Sequence, residues 1–221
     1  MTYRAYVFDA YGTLFDVHSA VARHADLVGP NAARVSDIWR LKQLEYSWTR
    51  SGMGRYRDFW VLTGEALDFA LSAVPEANAA VRETLMQAYA TLDCYAEVPG
   101  ALEMLKAKGA KLAILSNGSP AMLESAVQSA GIENLLDDVF SVDTVEIFKT
   151  SPKTYAMVTD AYGIAPGEVS FQSSNRWDVA GATAFGFDCR WINRTGQPDE
   201  YRDLPPVEIL GDLNGLLKIP A

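Results

Sequence analysis

The chain has 221 residues, 49% hydrophobic and 21% charged, values of a globular protein and not of a disordered one. With 28 Asp and Glu against 19 Lys and Arg the formal net charge is −9, which disfavours generic binding to nucleic acid or anionic lipid. No window approaches the roughly 18 apolar residues of a membrane helix, and Cys94 and Cys189 show no metal-ligand spacing, so a soluble cytoplasmic protein with reduced thiols is expected.

In chain order, residues 3–8 form a short β-favouring run that ends in Asp9, after which Ala10, Tyr11, Gly12 and Thr13 supply turn chemistry. Residues 16–92 then carry helical patterns only, including 32–50 and 59–73. They are expected to form a helical cap inserted into a core made of 1–15 and 93–221. In the first of these helices Trp39, Arg40, Leu44, Ser47 and Trp48 fall near one side, an apolar stripe carrying one guanidinium. Packing against the core accounts for Trp39, Leu44 and Trp48; Arg40 fits that reading less well. Arg55, Tyr56 and Arg57 read as a solvated face.

Beyond the insertion, 111–115 ends in Ser116-Asn117-Gly118, 139–142 follows a helix-like stretch, and 169–171 ends in Gln172-Ser173-Ser174-Asn175. Ser119-Pro120 and Ser151-Pro152 open helices over 121–130 and 153–162, and Gly109, Gly131 and Gly163 are stop signals. Residues 197–206 read as a surface loop. Strands alternating with helices predict an α/β fold, a Rossmann-like parallel sheet whose ligands sit beyond the carboxyl strand ends.

Four strand ends then converge: Asp9 with Thr13, Ser116 with Asn117, Lys149, and Ser173 to Asp178. Taken singly, Asp9 or Asp178 is as readily a turn former or helix cap, Thr13 a turn hydroxyl, Lys149 a surface amine and Trp177 a core residue. Together they place a carboxylate, an ammonium, hydroxyls and an amide in one pocket. His18 and His24, six residues apart, are wrongly spaced for a metal pair on one helix, and neither is given a catalytic role.

Phe8-Asp9-Ala10-Tyr11-Gly12-Thr13-Leu14, Leu115-Ser116-Asn117-Gly118, Phe148-Lys149 with Pro152, and Ser173-Ser174-Asn175-Arg176-Trp177-Asp178 resemble the four motifs of the haloacid dehalogenase superfamily. Trp39-Arg40 followed by Lys42-Gln43-Leu44-Glu45-Tyr46 is similar to its 2-haloacid dehalogenases. The resemblance implies hydrolysis of (S)-2-haloacids, and of haloacetates, to 2-hydroxyacids without cofactor or metal, by a homodimer. It implies an ester on Asp9, with inversion at carbon, then water attack on that ester. Thr13 and Lys149 would stabilise the nucleophile and Ser116 would bind the substrate carboxylate. Arg40 and Asn117 would receive the halide beside Trp177. Tyr155, Ser173, Asn175 and Asp178 would fix the carboxylates and prepare water, and Tyr11, Leu44 and Phe59 would line the apolar pocket. Leu41 departs from the family, several members of which have Gln there; a less polar cap wall is the expected consequence.

A superfamily phosphatase needs a second carboxylate two residues after the nucleophile to protonate an alkoxide, and an Asp in the fourth motif to help hold Mg²⁺. Tyr11 and Ser174 stand at those positions. A halide leaves without a proton, so neither missing carboxylate is needed for carbon–halogen cleavage. The remaining obstacle is charge: Asp9 and a substrate carboxylate about 4 Å apart repel by roughly 4 kcal/mol at an effective dielectric near 20, about a thousandfold in rate. Lys149 and loop amides are the candidate countercharges. A phosphatase of the same superfamily and a non-catalytic binding protein on the same fold are the alternatives.

Overall fold

The computed structural model describes residues 3–218, so the expected core ends, 1–2 and 219–221, lie outside the described residues. Strand β1 (Ala5–Phe8) is followed by helices α1 (Ser19–Ala22), α2 (Ala25–Val28), α3 (Ala32–Met53), α4 (Phe59–Ala73), α5 (Arg82–Ala90) and α6 (Val98–Ala107). The chain then alternates: β2 (Leu112–Ser116), α7 (Pro120–Ser129), β3 (Asp138–Ser141), α8 (Pro152–Tyr162), β4 (Val169–Ser173), α9 (Arg176–Phe185), β5 (Asp188–Ile192) and β6 (Glu208–Leu210).

The strands form one parallel sheet in the order β3-β2-β1-β4-β5-β6. The winding reverses at β1, whose Phe8 is in register with Ile114 on one side and Gln172 on the other. A reversal of this kind opens a crevice beyond the carboxyl ends of the central strands, and Asp9 is the first residue past β1.

Side-chain alternation along β1 separates two apolar layers. Ala5 and Val7 pack with Tyr155 and Val158 of α8 and Val179 and Ala182 of α9, while Phe8 packs with the layer that contains Leu102 of α6 and Leu123 of α7. Pro120 and Pro152 stand at the first turns of α7 and α8, where a missing N–H costs nothing. Gly163 ends α8 in the left-handed region.

The segment from α1 to α5 carries no strand and packs onto the second of these layers. Its ends run side by side: Asp16 N–H donates to Asp93 O and Tyr95 N–H to Leu14 O. Contacts from α3 and the loop after it tie the segment to the sheet. Phe148 N–H donates to Ser51 Oγ at 3.1 Å, and the Tyr56 hydroxyl donates to Asp143 while its ring lies 4.9 Å from that of Phe148.

Several sequence expectations need correction. The first strand begins at Ala5, the strands expected at 111–115 and 169–171 extend to Ser116 and Ser173, and β5 and β6 lie in a region given no strand. Of the α3 stripe, Trp39 and Ser47 are buried, Arg40 and Leu44 are half-buried, and Trp48 is 40% exposed. Tyr56 is not part of a solvated face, because Asp143 and Phe148 hold it. Leu41 is no cap wall: it is 57% exposed and turned away from the Asp9 cavity.

Candidate active site

The loop after β1 turns back on itself, with Thr13, Leu14 and Phe15 N–H groups converging on Ala10 O. Gly12 makes this possible at φ +94°, a conformation that a side chain would strain. The turn brings the Thr13 hydroxyl 3.0 Å from Asp9 Oδ2, and the same oxygen accepts from Asn175 Nδ2 at 2.8 Å and Ser173 Oγ at 3.4 Å. Asp9 Oδ1 accepts from Lys149 Nζ at 3.0 Å. Asp9 is 5% exposed, so these donors replace the water that would otherwise solvate its charge.

Lys149 is fully enclosed and shared between two carboxylates, with Asp178 Oδ2 at 2.7 Å. Burial by itself would lower its basicity, but the charges of Asp178 and Asp9 outweigh it and hold the amine above its ordinary pKa, as an ammonium. Asp178, on the first turn of α9, is pushed up to about 6, chiefly by burial and against the pull of Lys149. Its Oδ1 accepts from the Tyr155 hydroxyl at 2.8 Å, and burial keeps that phenol protonated. Asn117 Oδ1 accepts from Lys149 N–H at 2.9 Å, which fixes the amide and leaves its NH₂ toward the cavity it lines.

Asp9, Tyr11, Arg40, Leu44, Phe59, Ser116, Asn117, Asn175 and Trp177 line one cavity. Arg40 reaches it from α3, its Nη2 donating to Tyr11 O at 3.1 Å and Asn175 Oδ1 at 3.3 Å. Thr13, Lys149, Tyr155, Ser173 and Asp178 stand behind Asp9 as its hydrogen-bonded support. The sequence-predicted site residues therefore come together without exception, as a lining and a supporting layer.

Three contributors went unread. Tyr89, at the end of α5, is buried face to face with Tyr11 at 5.7 Å and 15°. Arg194, past β5, donates to Thr13 O at 2.8 Å and pairs with Glu97. Gly181 lets α9 approach Tyr155: a β-carbon there would lie 2.7 Å from its hydroxyl. Only Gly181, a glycine inside a helical pattern, left a local signal.

Sheet reversal, strand-end aspartate and buried ammonium define a Rossmann-like α/β protein whose site is organised around one carboxylate. A family model for haloacid dehalogenase-like hydrolases matches residues 3–186. The chain is 49% identical to (S)-2-haloacid dehalogenase 4A of Burkholderia cepacia, over 99% of this chain and 95% of that one. It superposes on a crystal structure described as a dehalogenase with TM-score 0.97 at 46% identity, covering 99% and 97% of the two chains. The L-2-haloacid dehalogenase of Xanthobacter autotrophicus with chloropropionic acid covalently bound superposes with TM-score 0.86 at 37% identity, covering 98% and 97%. The chain belongs to the haloacid dehalogenase-like hydrolases and, within them, to the (S)-2-haloacid dehalogenase family.

Proposed function

We propose that this protein hydrolyses (S)-2-haloacids, and haloacetates, to 2-hydroxyacids through an ester on Asp9, with inversion at the reacting carbon. The observation that carries this reading is that Asp9 is the single carboxylate among the side chains lining the cavity, which the Arg40 guanidinium also lines. Such a cavity offers a nucleophile and a receiver for an anion, and no second carboxyl lines it to protonate the group that leaves in the first step; a halide needs no proton.

In the first step an Asp9 oxygen attacks the carbon bearing the halogen from the side opposite that bond. The carbon–halogen electron pair leaves as halide toward Arg40 and the Asn117 amide, with Trp177 as an aromatic wall. Ser116 and the amides of Ala10 and Tyr11, which have no backbone partner among the described residues, are free to hold the substrate carboxylate. Lys149 offsets the approach of two negative charges. Tyr11, Leu44 and Phe59 give the alkyl group an apolar wall.

In the second step water attacks the Asp9 ester carbonyl. Asp178 accepts its proton and returns it to the alkoxide as the carbonyl–oxygen bond to the substrate breaks, releasing the 2-hydroxyacid with the hydroxyl oxygen that came from Asp9; the re-formed Asp9 carboxyl then loses its own proton to solvent. Thr13, Ser173 and Asn175 hold the carbonyl, and Tyr155 and Lys149 hold Asp178. Residues 16–92 act as the cap that delivers Arg40. Exposed apolar side chains on it, Leu41 and Phe69 among them, suit a homodimer, and the protein is cytoplasmic.

Two measurements test this. Halide release from chloro-, bromo- and fluoro-acids in the presence of a chelator, with both enantiomers of 2-chloropropionate, is expected for the (S) enantiomer. No release from any acid overturns the reading, and magnesium-stimulated phosphate release from small esters would replace it with the phosphatase. A single turnover with excess enzyme in ¹⁸O-water should label Asp9 and leave the hydroxyacid unlabelled; the opposite result excludes the ester.

A further inference from the structure

The cavity at Asp9 has a volume of about 10 Å³, room for one water. A 2-haloacid fits only if a wall moves. On the far side of Trp177 lies an open groove of about 640 Å³, lined by Phe148, Pro152, Ala184, Phe185 and Leu204 among others. Trp177 is the one side chain that lines both spaces among the described residues. It is a partition one indole thick between the small cavity that holds the Asp9 carboxylate and an open, largely apolar trough.

That indole is braced by Trp48, edge-on at 5.3 Å and 81°. Trp48 follows Leu44 by four residues and Arg40 by eight on α3, so the helix face that brings Arg40 and Leu44 to the cavity also supports its outer wall. Trp39, on the same helix, is buried and donates its ring N–H to Thr63 O at 2.8 Å. Trp48 has no hydrogen-bond partner among the described residues and is 40% exposed. Its indole therefore serves little in the helix packing, and the contact it does make is with the partition.

We propose that Trp48 determines the acyl-chain length of the substrate by holding Trp177 across the opening between the Asp9 cavity and the groove. This rests on the 2-haloacid reading above. Chloroacetate and 2-chloropropionate need the partition displaced only briefly, since once bound they lie wholly within the Asp9 cavity. A 2-haloalkanoate with a longer chain must keep Trp177 displaced and lay its methylenes along Phe148, Pro152 and Phe185.

The test compares kcat/KM for (S)-2-chloropropionate and (S)-2-chlorohexanoate in the unaltered protein, Trp48→Phe and Trp48→Ala. The expected result for Trp48→Ala is a rise of about tenfold or more in the hexanoate-to-propionate ratio, with the propionate value itself within about threefold of the unaltered protein. Trp48→Phe should fall between. An unchanged or falling ratio overturns the proposal. Binding of the unreactive acids hexanoate and propionate, followed by the fluorescence of the remaining tryptophans, should show the same change of ratio without any turnover. If the unaltered protein releases no halide from chloroacetate or chloropropionate, the 2-haloacid reading fails, and the binding ratio still decides the role of Trp48.

Discussion

Lys149 Nζ lies 3.0 Å from Asp9 Oδ1 although 140 residues separate the two in the chain. One ammonium in the interior holds two carboxylates that would otherwise repel each other, and removing it leaves both buried and unpaired. Lys149→Met is therefore expected to cost about 3–5 kcal/mol of stability, read by urea denaturation, together with about a thousandfold in halide release. A variant of unchanged stability would show that the pair contributes nothing to the fold.

Asp178 must be ionised to accept a proton from water, and burial pushes its pKa up to about 6. In the ester Asp9 no longer carries the charge that helps to raise that value, so hydrolysis should slow as pH falls below about 6, in single-turnover measurements of hydroxyacid release. The Tyr155 hydroxyl donates to Asp178 and favours the carboxylate. Tyr155→Phe removes that donor, so the acid limb moves to higher pH; a limb that stays put or moves down would mean that Asp178 is not the base.

Arg40 faces the site from α3 and touches no atom of Asp9 among its hydrogen bonds. Halide departs only in the first step, so Arg40→Ala should slow ester formation by about 10²–10³ and ester hydrolysis by only a few-fold. Rapid-quench measurement of the two steps separates them. Equal slowing would assign Arg40 to holding Asn175 instead.

Gly181 and Gly100 both sit inside helices, and Ala is ordinarily better there by about 1 kcal/mol. At Gly100 nothing lies within 4 Å of an added β-carbon, whereas at Gly181 Thr150 Cβ would be at 2.6 Å and the Tyr155 hydroxyl at 2.7 Å. Gly100→Ala should raise thermal stability slightly with full activity. Gly181→Ala should lose about 1–3 kcal/mol and slow ester hydrolysis, because Tyr155 is pushed off Asp178. If the two variants behave alike, the close approach of α9 to Tyr155 has no consequence.

Much of this was written locally. An apolar run stopping at Asp9, Ser-Pro pairs opening α7 and α8, and glycines after helices are decided within a few residues, so the sequence by itself determined the alternating strands and helices, the helical insertion and the polar strand ends. Its α4 span, 59–73, agrees with the structure residue for residue. β5 was missed because Arg190 looks like a surface residue, yet it is buried against Ser170 Oγ at 2.7 Å; β6, three residues long, is a strand only because β5 lies beside it.

What the tertiary structure alone decided is which side chains meet. Residues at the ends of β1, β2 and β4 share a pocket because those strands are neighbours in the sheet, a fact about pairing that no local pattern carries. The same holds for Tyr56 against Asp143, Leu41 turned outward, and Trp48 braced on Trp177. Helical periodicity fixes which residues share a face; only the packing of that helix against the rest of the chain decides what the face looks at.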